Sequence, residues 1–187
     1  MKSTYQLNKE DAVLLVIDLQ ERLMPAMYDR DFLLKKASVL LNVAKVFNLP
    51  VVMTEQYPKG LGHTVDSLLS LIESEELPVE VFHKTSFTAF TPEVKECVER
   101  HNRKQVIVIG AETHVCVFQT VRDLLAEGYM VFVPFDAVDS RTQENKNNAL
   151  DLFSEMGAVV TNTETILFDL LQVSGTPEFK KLSALIK

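Results

Sequence analysis

The sequence predicts an α/β fold of three layers: a doubly wound, Rossmann-like parallel sheet of six strands with helices on both faces. Three observations predict it. Short apolar runs rich in β-branched residues alternate along the chain with segments whose apolar residues recur at helical spacing. The runs Ala12–Ile17 (AVLLVI) and Val106–Ile109 (VIVI) carry no polar residue, as strands covered on both faces do. Between successive runs lies enough chain for a helical crossover, which parallel strands require and a tight hairpin cannot supply.

Taken in order, the first run ends at Asp18, and Gln20, Glu21, Arg22 and Pro25 mark a loop. Over 31–48, Leu33, Ala37, Leu40, Leu41, Ala44 and Phe47 form one helical stripe. A short second strand is expected over 50–54. The stretch EQYPKGLGH, Glu55 to His63, has Pro58, Gly60 and Gly62 and reads as a long loop, followed by a helical segment over 65–72. A third strand, 78–83, runs up to Lys84. Thr91-Pro92 is a helix start, with a threonine cap and proline at the first helical position. Val94, Cys97 and Val98 share a face of that helix, so Cys97 reads as core filler.

The fourth strand stops at Gly110. After Cys116, the residues Val117, Phe118, Val121, Leu124 and Leu125 fit an amphipathic helix that Gly128 closes. A fifth strand over 129–134 leads into an exit loop with Asp136, Asp139, Ser140 and Arg141. A helix over 143–156 ends at Gly157, a sixth strand follows over 158–161, and 163–171 and 177–186 read as terminal helices. With no internal repeat, linker or low-complexity tract, one domain over 1–187 is expected.

Composition narrows the function. The 187 residues are 47% hydrophobic and 24% charged with a net charge of −7, the profile of a water-soluble globular chain. An acidic chain without basic clusters predicts neither nucleic-acid nor anionic-membrane binding. No apolar run reaches membrane-spanning length, and MKSTYQLNKED lacks the apolar core of a secretory signal, which points to the cytoplasm. Two cysteines, Cys97 and Cys116, suggest neither a disulfide framework nor a cysteine zinc cluster.

Three reactive residues fall just beyond predicted strands: Asp18, Lys84 and Cys116. Parallel strands all end at one edge of the sheet, so these side chains are expected at one rim, where open α/β sheets bind ligands. The chemistry is complementary. Cys116 is a nucleophile placed where a buried strand hands over to a helix, whose free N–H groups and dipole favour a thiolate. Asp18 is a base for its proton, and Lys84 supplies a positive charge that favours the thiolate and a negative intermediate. If Lys84 lies two strands away it must reach roughly 10 Å, which its long stem allows. Singly each has a plainer role: a cap, a loop charge, a small core residue.

The motifs LLVIDLQ, HKTSFTAF and VIGAETHVCVFQT, spread over nearly the whole chain, resemble those of the isochorismatase-like cysteine hydrolases, which include nicotinamidases and N-carbamoylsarcosine amidohydrolases. The resemblance implies a catalytic triad of Asp18, Lys84 and Cys116. It also implies a non-proline cis peptide at Ala111-Glu112 and an oxyanion hole from the backbone N–H groups of Glu112 and Cys116. TEQYPKGLG resembles the isochorismatase domain-containing subgroup. Relatives are commonly oligomers, so a homo-oligomer is expected.

Two departures refine this. Nicotinamidases carry an Asp-x-His arrangement and further histidines for a metal after the second strand; here the loop reads Glu55, Gln56, Tyr57 and contains only His63. No metal and no cofactor are therefore expected, and nicotinamide becomes a poorer fit. Isochorismatases that cleave a vinyl ether usually lack the cysteine. The Cys-x5-Arg spacing of Cys116 and Arg122 matches tyrosine phosphatases, but VFQTV between them fits a helix and not a phosphate-wrapping loop. No glycine-rich nucleotide motif is present.

The expected function is hydrolysis of a small amide-type substrate through a covalent acyl-enzyme, with Gln20, Gln56, Tyr57, Phe90 and His114 as candidates for lining the pocket. The alternatives are a binding or scaffold protein that keeps the fold without turnover, and a vinyl-ether hydrolase.

Overall fold

The structure, a computed structural model, describes residues 5–187. Strands β1 (Ala12–Ile17), β2 (Val51–Gln56), β3 (Val79–Lys84), β4 (Gln105–Ala111), β5 (Met130–Pro134), β6 (Val138–Asp139) and β7 (Val159–Thr161) form one sheet. Its order is β3-β2-β1-β4-β5-β7, with β6 pairing β4 beyond the point where β5 leaves it, and every ladder is parallel. Reversing direction at β1 and β4, this order puts the crevice of the sheet between those two strands.

The strands are as apolar as they are because both faces are covered, and their residues divide by parity. Leu14, Val16, Met53, Ile107 and Ile109 face helices α1 (Arg30–Phe47), α3 (Asp66–Ser74), α7 (Thr163–Leu171) and α8 (Pro177–Ser183). Val13, Leu15, Ile17, Val52, Val106 and Val108 face α4 (Pro92–Arg100), α5 (Phe118–Ala126) and α6 (Gln143–Met156). Each large aliphatic side chain so buried contributes about 1.5–3 kcal/mol. A further short helix, α2 (Pro58–Leu61), lies in the loop after β2. No helix among the described residues is long and apolar enough to cross a membrane.

Helix ends follow local chemistry. The Thr91 and Thr142 side chains accept from Val94 N and Asn145 N, starting α4 and α6, and Gly157 at φ +94° closes α6. Of the departures from the sequence expectation, two concern the strands around the site. The sheet has seven strands, because Val138 and Asp139 pair with Gly110 and Ala111 over too short a length to leave a periodic signal. Strand β2 runs two residues further, taking in Glu55 and Gln56.

Candidate active site

Asp18 is the first residue after β1 and Lys84 the last of β3. In a regular strand Asp18 would turn to the face opposite Ile17. Its left-handed backbone, φ +53°, breaks the pleat and swings the carboxylate back toward the α4–α5 side. There Asp18 Oδ1 accepts from Thr54 Oγ1 at 2.7 Å and Oδ2 from Lys84 Nζ at 2.6 Å. Lys84 reaches across β2 to do this, as two-strand spacing requires. Its ammonium also donates to Gln56 Oε1 (2.7 Å), Phe87 O (3.1 Å) and Ser86 O (3.3 Å), so four acceptors share three protons.

Cys116 comes from β4, two strands from β2 and next to β1. The strand ends at Ala111, the Ala111-Glu112 peptide is cis, and a π-helical turn over Thr113–Val117 carries the cysteine into α5. Gly110 makes this junction possible: at φ +126°, a side chain there would collide with the Ile17 backbone, which lies directly across the ladder. The Asp18 carboxylate and the Glu112 backbone are the polar groups that, with Lys84, act on the Cys116 thiol. Thr120 Oγ1 donates to Cys116 O at 2.6 Å and accepts from Ala89 N at 2.8 Å, tying the cysteine's turn to the segment after β3. The structure thus brings Asp18, Lys84 and Cys116 together, with Asp18 between the other two.

The isochorismatase domain family matches residues 12–165. The chain belongs to the isochorismatase family. It is 40% identical over 182 residues to a protein of Phytophthora sojae described as the secreted isochorismatase effector Isc1, covering 94% of this chain and 84% of that protein. It is 35% identical over 182 residues to isochorismatase domain-containing protein 2 of Xenopus laevis, covering 97% and 86%. A solved structure described as the MAR1 ribonuclease of Caenorhabditis elegans superposes with a TM-score of 0.89 at 34% identity, covering 97% and 92%.

The electrostatics of this isochorismatase-family site correct one expectation. The expectation is a thiol lowered by the helix start and by Lys84, whose charge does act in that direction. Instead, burial and then the negative charge of Asp18 push the Cys116 thiol up to about 12, against the opposing Lys84 charge. The ammonium is spent on Asp18, which it touches directly, and the sulfur stays protonated at neutral pH. Burial also raises the Asp18 carboxyl, opposed by Lys84 and by hydrogen bonds from Lys84, Thr54 and Cys116.

The other expected site residues divide. Gln56 contacts the triad, accepting from Lys84 while its Nε2 donates to Thr85 O at 2.9 Å. Tyr57, at φ +39° and exposed, lines a 590 Å³ cleft with Pro58, Lys59, His63, His83 and the Lys84–Thr85 end of β3. Glu112 is buried, its carboxylate accepting from Arg141 Nε at 2.9 Å. His114 Nδ1 lies 3.0 Å from Ser140 Oγ, in the loop that follows β6.

Two expected pocket residues serve elsewhere. Gln20 is fully buried as a strut: its Nε2 donates to Gln56 O and Gly62 O, and its Oε1 accepts from Gln56 N at 2.7 Å. Phe90 packs edge to face on Tyr129 at 5.7 Å, and Tyr129 sits just before β5, at the amino-terminal edge away from the triad. Sequence reasoning also missed two neighbours of the site. Thr54, the carboxylate's second donor, had no signal beyond its place at a strand end. His83 joins Glu55 and His63 in a cluster described below, and parity along β3 places it opposite Lys84.

Proposed function

We propose that the chain is a cysteine-dependent hydrolase of a small amide-type substrate, working through a covalent acyl-enzyme. The observation that carries this reading is the buried Lys84–Asp18 ion pair at 2.6 Å, whose carboxylate acts on the Cys116 thiol beside it. Asp18 removes the thiol proton as the sulfur attacks the carbonyl carbon, so that no free thiolate need accumulate. Charge on the carbonyl oxygen is taken up by the backbone N–H groups of Glu112 and Cys116. The C–N bond then breaks, and Asp18 returns the proton to the leaving nitrogen. Water adds to the thioester, Asp18 takes its proton, and expulsion of the sulfur with that proton releases the acid.

Access supports a small substrate. Cys116 keeps 6% of its surface exposed and Asp18 none, so a bulky polymer does not reach the reacting atoms without displacing the rim. The net charge of −7 is a further argument against RNA, despite the name of the nematode protein. The unpaired cysteines fit a reducing, cytoplasmic setting. A homo-oligomer is favoured by the unpaired edge of β3, where Val81 and the nearby Tyr57 and Phe87 are exposed.

The test is a panel of small primary amides, ureas and carbamoyl compounds, assayed for ammonia release, with an RNA cleavage arm run beside it. Ammonia released by the wild type and not by Cys116→Ala is the expected result. Turnover that survives Cys116→Ala, or cleavage confined to RNA, overturns the proposal.

A further inference from the structure

The face of the sheet opposite the triad carries a second constellation. Glu55 and His83 are paired in register across β2 and β3, one position before the pair Gln56 and Lys84. Alternation along both strands therefore directs Glu55 and His83 away from Asp18 and Cys116. A third donor, His63, comes from the loop between β2 and α3. Its backbone is fixed on both sides, with His63 O accepting from Glu21 N at 2.9 Å and Gly62 O from Gln20 Nε2 at 2.6 Å.

Against the expectation of no metal, which counted only the ligands of the loop after β2, we propose that Glu55 and His63, joined by His83 from β3, bind one first-row divalent transition ion of the zinc class. Glu55 Oε2 lies 3.0 Å from His63 Nδ1 and 3.2 Å from His83 Nε2, and the three donor atoms all lie within 4.8 Å of one another. Ligands about 2.0–2.2 Å from a tetrahedral ion sit roughly 3.4 Å apart, so little movement is needed to close on one. Two imidazoles and one carboxylate select zinc, cobalt or nickel over calcium or magnesium.

The carboxylate is prepared for this role. Its other oxygen, Oε1, accepts from Thr64 N at 2.7 Å and Thr64 Oγ1 at 3.0 Å, which leaves Oε2 as the single oxygen presented to the histidines. Glu55 is buried, whereas the His63 and His83 side chains are 67% and 60% exposed, so an ion enters from solvent onto a held anionic base. Both histidines line the 590 Å³ cleft shared with Tyr57, Lys59 and Thr85, from which water or an oxygen of a ligand can reach the ion. The competing reading is a plain hydrogen-bonded cluster: the same contacts suit one carboxylate between two ring N–H donors.

Chelator-stripped full-length chain titrated with zinc by calorimetry, and with cobalt by visible absorption, separates these. One equivalent per chain is expected. His63→Asn and His83→Asn are each expected to weaken binding by more than about 100-fold, and Thr64→Val by about 10-fold, while Cys116→Ala and Cys97→Ala bind as the wild type does. His63 lies on an exposed loop, so His63→Asn, checked for native circular dichroism, guards against misfolding. No binding up to millimolar metal, undiminished binding in both histidine variants, or loss of binding in either cysteine variant overturns the proposal.

Discussion

Lys84 and Asp18 meet at 2.6 Å with side chains 1% and 0% exposed, so each charge depends on the other for nearly all that water would have given it. Such a pair contributes little over an apolar pair of the same shape, but breaking it from one side leaves a buried charge unmatched. Its value lies in fixing a carboxylate beside a thiol.

Lys84→Met is therefore expected to destabilise the fold by about 3–5 kcal/mol and to abolish turnover. Asp18→Asn/Lys84→Met, which removes both charges, recovers most of that loss without recovering activity. Urea midpoints of the two variants check this; equal stability would show that the ion pair is not what the lysine is held by.

Asp18→Asn moves the thiol in a direction that distinguishes a base from a bystander. The Asp18 charge and its hydrogen bond raise the Cys116 pKa, and Lys84 lowers it. Removing the carboxylate leaves the ammonium facing the sulfur, so the thiol is expected to titrate well below about 12 in the variant, while turnover falls to background. Thiolate absorbance followed against pH reads the shift. A thiol unmoved in the variant contradicts the arrangement.

A thiol held at about 12 binds its proton more tightly in the folded chain than in the unfolded one. The stability this provides is present below the ordinary thiol range and is lost as pH rises through it toward the folded value. Between about pH 9 and 12 the wild type should lose roughly 1.4 kcal/mol per unit more than Cys116→Ala does. Urea melts of both proteins at pH 8, 9 and 10 check the slope.

Gly110 and Gly128 both have positive φ, but only Gly110 has backbone where a side chain would go. Gly110→Ala should cost at least about 3 kcal/mol and disorder the approach to Cys116. Gly128→Ala, with nothing within 4 Å, should cost about 1 kcal/mol. Similar costs at both sites would mean that the β1–β4 contact is not tight.

The sequence made legible whatever depends on period and on strand ends. The α6 bounds are readable because Thr142 and Gly157 punctuate them, and the triad because parallel strands deliver Asp18, Lys84 and Cys116 to one edge. What a side chain does after reaching that edge was not legible. Gln20 and Phe90 lie in the same sequence motifs as Asp18 and Lys84, yet one turns into a strut and the other to a ring at the far edge. Glu55 and Gln56 read as loop because they are polar, although both complete β2. His83 stayed hidden as a partner of His63 because it reaches Glu55 by strand register and His63 by the fold of a loop, across nineteen intervening positions, which no local pattern records.

Acyl transfer to one sulfur is tested most directly by mass spectrometry of the chain quenched during turnover of an activated amide or ester. It predicts a single acyl adduct on the peptide containing Cys116, absent from Cys116→Ala and slow to form in Asp18→Asn. An adduct on Cys97 or a lysine, or substrate consumed at the wild-type rate by Cys116→Ala, would contradict it.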